Sequence, residues 1–191
     1  METIDAKVIH AIAFAAERHN GQFRKGKEGA PYINHPIQVM EVLIRHGDCD
    51  SDLLMAAALH DVIEDTAKNQ QEIESLGEEI KKAFGDSVLK LVREVSDDKN
   101  LPFRERKRLQ VVNTPGITPK AKKIKIADKT CNIMDMMKHP PVEWDVQRKL
   151  EYLDWAGQVI DGARGVNPAL EGNFDQTWDE AYRQFSDSGK T

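Results

Sequence analysis

Apolar positions recur with a helical period along nearly the whole chain. Ile4, Val8, Ile12 and Ala15 follow at spacings of 4, 4 and 3, and Thr3 is placed to cap that helix. A segment from His19 to Asn34, within "HNGQFRKGKEGAPYINHP", then breaks the period with glycines, prolines and cations, and reads as a long structured loop. Helical spacing resumes in "IQVMEVLIRHG", with Pro36 as first helical residue and Gly47 as the stop. Ser51 is expected to cap the next helix, which carries the most apolar stretch of the chain. "QQEIESLGEEIKKAFG" and "DSVLKLVREVS" read as helices, "DDKNLP" as a loop, and "FRERKRLQVV" as a short basic helix. Thr118-Pro119 opens "KAKKIKIADKTCNIMDMMKH", which stops before Pro140-Pro141. "EWDVQRKLEYLDWAGQVIDGA" is a long amphipathic helix, and a last helix is expected around "ALEGNFDQTWDEAYRQF".

β-branched residues never gather into an alternating run bounded by turns, so no strand is expected. The fold class that follows is all-α: one compact domain over residues 1–185, with a polar tail, "SDSGKT", over 186–191.

Composition narrows the function classes. The formal net charge is −5 over 191 residues, which argues against a general grip on nucleic acid or an anionic membrane while leaving room for a local basic pocket. With 40% hydrophobic and 31% charged residues, the balance is that of an ordinary globular chain. The two cysteines, Cys49 and Cys131, form no CxxC pair, so a reducing compartment is the default. The N-terminal stretch lacks a basic region before an apolar core, and the apolar run Leu53–Leu59 is too short to span a bilayer; a cytoplasmic location is expected.

One stretch conflicts with a purely structural helix. In "AALHDVIEDT" the apolar run ends in His60, Asp61, Glu64 and Asp65. At about 100° per residue these four fall within roughly 140° of arc, on one face. Three carboxylates then crowd near a helix C-terminus, where the macrodipole already opposes them. A bound cation would reverse that local account. Two other places supply matching ligands. His35 precedes Pro36 in "YINHP", and Asp128 interrupts an apolar stripe formed with Ile124 and Cys131. A cap or loop role for His35, and an ion pair of Asp128 with Lys125 or Lys129, are the alternatives. Taken together, His35, His60, Asp61 and Asp128 make a two-histidine, two-carboxylate set suited to Mn²⁺, Fe²⁺, Co²⁺ or Zn²⁺.

The series H…HD…D resembles the HD superfamily of metal-dependent phosphohydrolases. The ordered segments "GQFRKGKEGAPYINHP", "AAALHDVIEDT", "FGDSVLKLVREVSDDKNLP", "KIADKTCNIMD" and "EYLDWAGQVI" resemble more closely the hydrolase domain of RelA/SpoT alarmone enzymes, especially the stand-alone small alarmone hydrolases. The chain length leaves no room for synthetase and regulatory domains, so a hydrolase-only member is expected. The resemblance implies a helical domain with one Mn²⁺, held by His35, His60, Asp61 and Asp128, that removes the 3′-pyrophosphate of guanosine tetra- or pentaphosphate. It implies Glu64 and Asp65 as the catalytic acidic pair, Asn132 facing the nucleotide, and Arg24 and Lys25 beside its base.

Glu64 is the residue expected to orient or deprotonate the attacking water, with Asp65 assisting. A polyanionic substrate on an acidic protein requires a cationic rim. The candidates are Arg24, Lys25, Lys27, Lys99 and, at i, i+4 on one helix, Arg148 with Tyr152. The basic run Arg104–Gln110 is expected to be an exposed helix face, with help in holding phosphates as the alternative, and Trp144, Trp155, Trp178 and Met134, Met136 and Met137 are expected to be packing residues. The same motifs would equally serve removal of the 2′-phosphate of NADPH, and a non-catalytic nucleotide-binding module is a further alternative. The oligomeric state is not fixed by the sequence.

Overall fold

A computed structural model of the chain describes residues 6–25 and 29–188. Among them the elements are α1 (Ala6–Arg18), α2 (Asn34–Arg45), α3 (Ser51–Leu59), α4 (Val62–Thr66), α5 (Gln70–Phe84), α6 (Asp86–Val95), α7 (Phe103–Asn113), a 3₁₀ turn (Thr114–Gly116), α8 (Pro119–Lys138), α9 (Val146–Asp161) and α10 (Pro168–Ser188). The all-α expectation holds; the described residues contain no strand, only an isolated antiparallel bridge between Phe23 and Pro31. Thr3, Ile4, Lys27 and residues 189–191 lie outside the described residues.

The middle of the molecule is α3. Every residue from Leu53 to Leu59 is buried, so the helix is apolar all round and must be enclosed on all sides. It lies against α1, α2, α6 and α8. The second central element is α8, which packs on α2, α6, α9 and α10. Its Ile124, Ile126, Ala127, Cys131 and Ile133 join α3 in one continuous core. The helices α7 and α9 pair with each other and form one wall of a cleft described below.

Local chemistry moves several boundaries. Asp50, not Ser51, caps α3: its carboxylate accepts the Leu53 N–H at 2.9 Å. A carboxylate accepts this bond more strongly than a hydroxyl. Helix α2 starts at Asn34, two residues before Pro36, and the proline is tolerated because first-turn N–H groups have no partner within the helix. The stops fall as expected where glycine can take positive φ: Gly47 at +85° after α2, and Gly85 at +98° between α5 and α6. Helix α10 continues through Ser188, into the segment expected as tail.

The largest departure is at "AALHDVIEDT". The helix does not run through it: α3 ends at Leu59, and α4 begins at Val62. Asp61 sits at φ −97°, ψ −7°, in the sparsely populated region between helix and strand. His60 and Asp61 therefore stand at a break, and the four polar residues are divided between that break and α4 instead of sharing one straight face.

Leu59 is completely buried directly before this break. Leu59→Ala should cost about 2–5 kcal/mol in chemical unfolding. A cost below about 1 kcal/mol would contradict the placement of α3 as the central mount.

Candidate metal centre and adjoining cleft

Three elements deliver the polar groups to one point. His35 comes from the first turn of α2, with 1% of its surface exposed. His60 and Asp61 come from the break after α3, and Asp128 from α8. The Nδ1–H of His60 donates to the carbonyl of Ala57 at 2.8 Å, one turn back in α3. That bond fixes the tautomer, so Nε2 is left facing the carboxylates. Asp61 Oδ2 lies 3.0 Å from His60 Nε2 and 3.7 Å from His35 Nε2. Asp128 Oδ1 lies 3.1 Å from His35 Nε2 and 3.9 Å from His60 Nε2. One ligand atom from each of His35, His60 and Asp128 falls within 4.8 Å of the others. Asp61 stands beside the two imidazoles and also accepts the Tyr32 hydroxyl at 2.7 Å.

The donor set fits a divalent cation. At this centre His35 Nε2 is paired with Asp128 at 3.1 Å, whereas the buried His60 Nε2 has no hydrogen-bond partner among the described residues. The close approach of His60 Nε2 to Asp61 lacks hydrogen-bond alignment. Buried polar atoms are rarely left so, and a lone pair aimed at two carboxylates is repulsive unless a positive charge lies between them. Burial alone would depress the His60 pKa, but Asp61 and Asp128 raise it to about 9. A proton thus takes the cation's place when no cation is bound, and binding must displace it. His35, enclosed more completely and facing Arg24, is pushed down instead. Burial works against charge on Asp61 and Asp128. The imidazole of His60 for the first, and the Lys129 ammonium 2.7 Å from the second, nevertheless keep both below the usual range.

Asp128 thereby joins two of the roles open to it. Its Oδ1 faces the histidines and accepts Asn132 Nδ2 at 2.6 Å, while its Oδ2 takes Lys129. Lys125 goes elsewhere, donating to the carbonyl of Val95 at 2.9 Å. The ion pair with Lys129 is one of the two expected for Asp128, whereas Tyr32 was not expected at the site.

Glu64 and Asp65, on α4, line the same pocket as the histidines and border the adjoining cleft. Glu64 Oε2 accepts the backbone N–H of Asp97 at 2.8 Å. Its Oε1 has Lys99 Nζ at 3.7 Å and Arg106 Nη1 at 3.9 Å. Burial first, then Asp61 and Asp97, raises its pKa to about 7. Asp65 pairs with Lys99 at 2.5 Å.

The metal pocket, about 140 Å³, opens beside a cleft of about 420 Å³. Arg24, Lys25, Lys99, Asn132, Arg148 and Tyr152, from separate parts of the chain, all line this cleft. Arg24 is not a free guanidinium: it donates to Asp135 at 2.8 Å and to Asn132 at 2.6 Å. Two expectations need correction. The run Arg104–Gln110 is not simply an exposed face, because Arg106, Lys107 and Gln110 turn into the cleft while Arg104 and Arg108 stay outside. Trp144 and Trp155 are cleft walls as well as packing residues, and Met136 reaches the cleft too. Lys107 rests 3.1 Å above the Trp155 ring centre, and burial with the nearby Lys129 lowers its pKa to about 7. A helical wheel of α7 groups residues 106, 107 and 110 on one side, a signal legible in the sequence once α9 is known to lie opposite.

Comparison with known proteins places this geometry. A family model described as "HD domain" matches residues 11–153. The guanosine-3′,5′-bis(diphosphate) 3′-pyrophosphohydrolase MESH1 of Xenopus tropicalis is 44% identical over 92% of this chain and 94% of its own length. The human protein of the same name is 46% identical over 87% and 89%. A solved structure reported as a metazoan orthologue of SpoT that hydrolyses ppGpp and plays a role in starvation responses superposes with a TM-score of 0.86. It is 39% identical, covering 94% of this chain and 98% of that one.

A cation at this centre should stabilise the fold. Mn²⁺ at about 100 times its Kd should add about 2.7 kcal/mol, read as a rise in Tm. His60→Ala should remove that rise, whereas an undiminished rise in the variant would place the cation elsewhere.

Proposed function

The chain belongs to the HD-domain family and within it to the metazoan SpoT-like hydrolases, and on that footing we propose that it is a guanosine-3′,5′-bis(diphosphate) 3′-pyrophosphohydrolase that works with Mn²⁺. The observation that carries this reading is the unpartnered His60 Nε2 held against two carboxylates, with a second acidic pair next to it and a cation-lined cleft beyond.

In this reading His35, His60, Asp61 and Asp128 hold the cation. When bound, it acidifies a coordinated water and offsets charge on the phosphoryl oxygens. The remaining work falls to the chain's own side chains. Glu64, its pKa raised to about 7, accepts a proton from the attacking water near neutral pH. The Asp97 N–H holds one Glu64 oxygen, leaving Oε1 to face the reaction. Water adds to the phosphorus attached to the 3′ oxygen, the P–O3′ bond breaks, and the proton ends on O3′, giving a nucleoside 5′-diphosphate and pyrophosphate. Asp65 assists by anchoring Lys99, which lies between the acidic pair and the cleft.

The cleft supplies charge complementary to a phosphorylated nucleotide on a chain whose net charge is −5. Lys99, Arg106, Lys107 and Arg148 line it, with Phe103, Trp144, Tyr152 and Trp155 as apolar walls. Lys107 is the adjustable member. Its pKa near 7 lets it gain a proton when a phosphate arrives and its neighbouring Lys129 is compensated. Lys25 is exposed on the rim, and Arg24 with Asn132 forms the side of the cleft nearest Asp128.

Turnover of guanosine tetraphosphate and of NADPH, side by side with Mn²⁺, tests the substrate. Pyrophosphate released from the former and lost on chelation is the expected result; phosphate released from NADPH alone would overturn it. Glu64→Gln should lower kcat by about 10² or more while keeping the Mn²⁺-induced rise in Tm. Unchanged turnover would remove Glu64 from the mechanism.

A further inference from the structure

The Asp97 N–H that holds Glu64 belongs to the loop after α6, and short loops of this kind need an external tie to stay within a few tenths of an ångström. Two ties are present. The single Ser96 hydroxyl proton is shared between the carbonyls of Val92 at 2.8 Å and His60 at 3.3 Å, which docks the loop on the break that carries His60 and Asp61. The other tie comes from across the cleft wall: Gln110 Nε2 on α7 donates to Asp97 Oδ2 at 2.6 Å. A carboxylate only accepts, so this bond fixes which way the Gln110 amide points. Its Oε1 then faces away, buried and without a partner, as does Arg106 Nε one turn earlier on α7.

Both side chains, with Ser96, Asp97 and Lys125, line a second chamber of about 210 Å³ behind the loop. Gln110 borders this chamber, the metal pocket and the cleft, so the Gln110–Asp97 pair is a partition between them. A buried acceptor left unmatched lowers stability, so packing alone does not account for an amide at this position. An apolar side chain of the same length would fill the space without the orphan oxygen.

We propose that Gln110 is a positioning residue for the hydrolysis, acting through Asp97 to hold the backbone N–H that aims the Glu64 carboxylate. The proposal rests on the hydrolase reading above. Gln110 gains its effect at a distance of one loop: its amide fixes the Asp97 side chain, the side chain fixes the peptide, and the peptide N–H fixes Glu64 Oε2. A general base displaced by about an ångström loses most of its effectiveness although substrate still binds.

Reciprocal exchange tests it. Gln110→Glu sets a carboxylate against Asp97 and should lower kcat by about tenfold or more, with KM within about threefold. Adding Asp97→Asn restores an N–H to oxygen bond with donor and acceptor exchanged, and should return kcat to within about threefold of wild type. Gln110→Met, which keeps the volume and removes the tie, should lower kcat while the Mn²⁺-induced rise in Tm is retained. The proposal is overturned if Gln110→Glu and Gln110→Met keep wild-type kcat. It is overturned equally if the double variant is no better than Gln110→Glu, if only KM moves, or if the Mn²⁺ response is lost with the activity. Wild-type protein that releases no pyrophosphate from guanosine tetraphosphate would instead defeat the hydrolase reading itself.

Discussion

The bond from His60 Nδ1 to the Ala57 carbonyl is the constraint on which the site depends. It commits Nε2 to the side where Asp61 and Asp128 stand, in a place with no room for the ring to turn away. The rest of the structure can be read as what makes that bond tolerable. An all-round apolar α3 holds Ala57 rigidly in the core. The break after Leu59 frees the His60 and Asp61 side chains from the direction a continuing helix would impose. The Tyr32 hydroxyl then donates to the Asp61 oxygen that faces the histidines, and the Lys129 ammonium neutralises part of the excess negative charge on the Asp128 oxygen turned away from them.

The same arrangement gives its carboxylates different electrostatic characters. Asp61 and Asp128 are both held below the usual carboxylate range, whereas burial and the neighbouring Asp61 and Asp97 raise the Glu64 pKa to about 7. Two carboxylates three residues apart thus take opposite shifts because of their surroundings. The cations follow a similar division. Lys129 is locked to Asp128, whereas Lys107 rests over the Trp155 ring and lines the cleft. An acidic protein can in this way offer a basic cleft without a basic surface.

Much of this was legible in the sequence because residue type and spacing carried it. His60, Asp61 and Asp128 stood out because each interrupts an apolar pattern, and His35 because it completes a two-histidine, two-carboxylate set; the structure brings these four side chains together. The helix order followed from periodicity, proline and glycine. What could not be read was set by contacts between distant segments. Tyr32 and Asp61 are 29 residues apart, and Asp97 and Gln110 meet across 13. The break at His60–Asp61 was hidden because nothing in "AALHDVIEDT" is a helix breaker; burial of the site, not local preference, interrupts the helix there. The two sides of α7 could be assigned only once α9 stood opposite. Asp50 displaced Ser51 as the cap because both are good caps, and sequence offers no arbiter between neighbours.

The central claim is that one divalent cation sits between the two imidazoles and the two carboxylates. Crystals grown with Mn²⁺ and measured at the manganese absorption edge test it most directly. A single anomalous peak enclosed by His35 Nε2, His60 Nε2, Asp61 and Asp128 is the predicted result. A peak bound elsewhere, or none at this centre at saturating Mn²⁺, would contradict it.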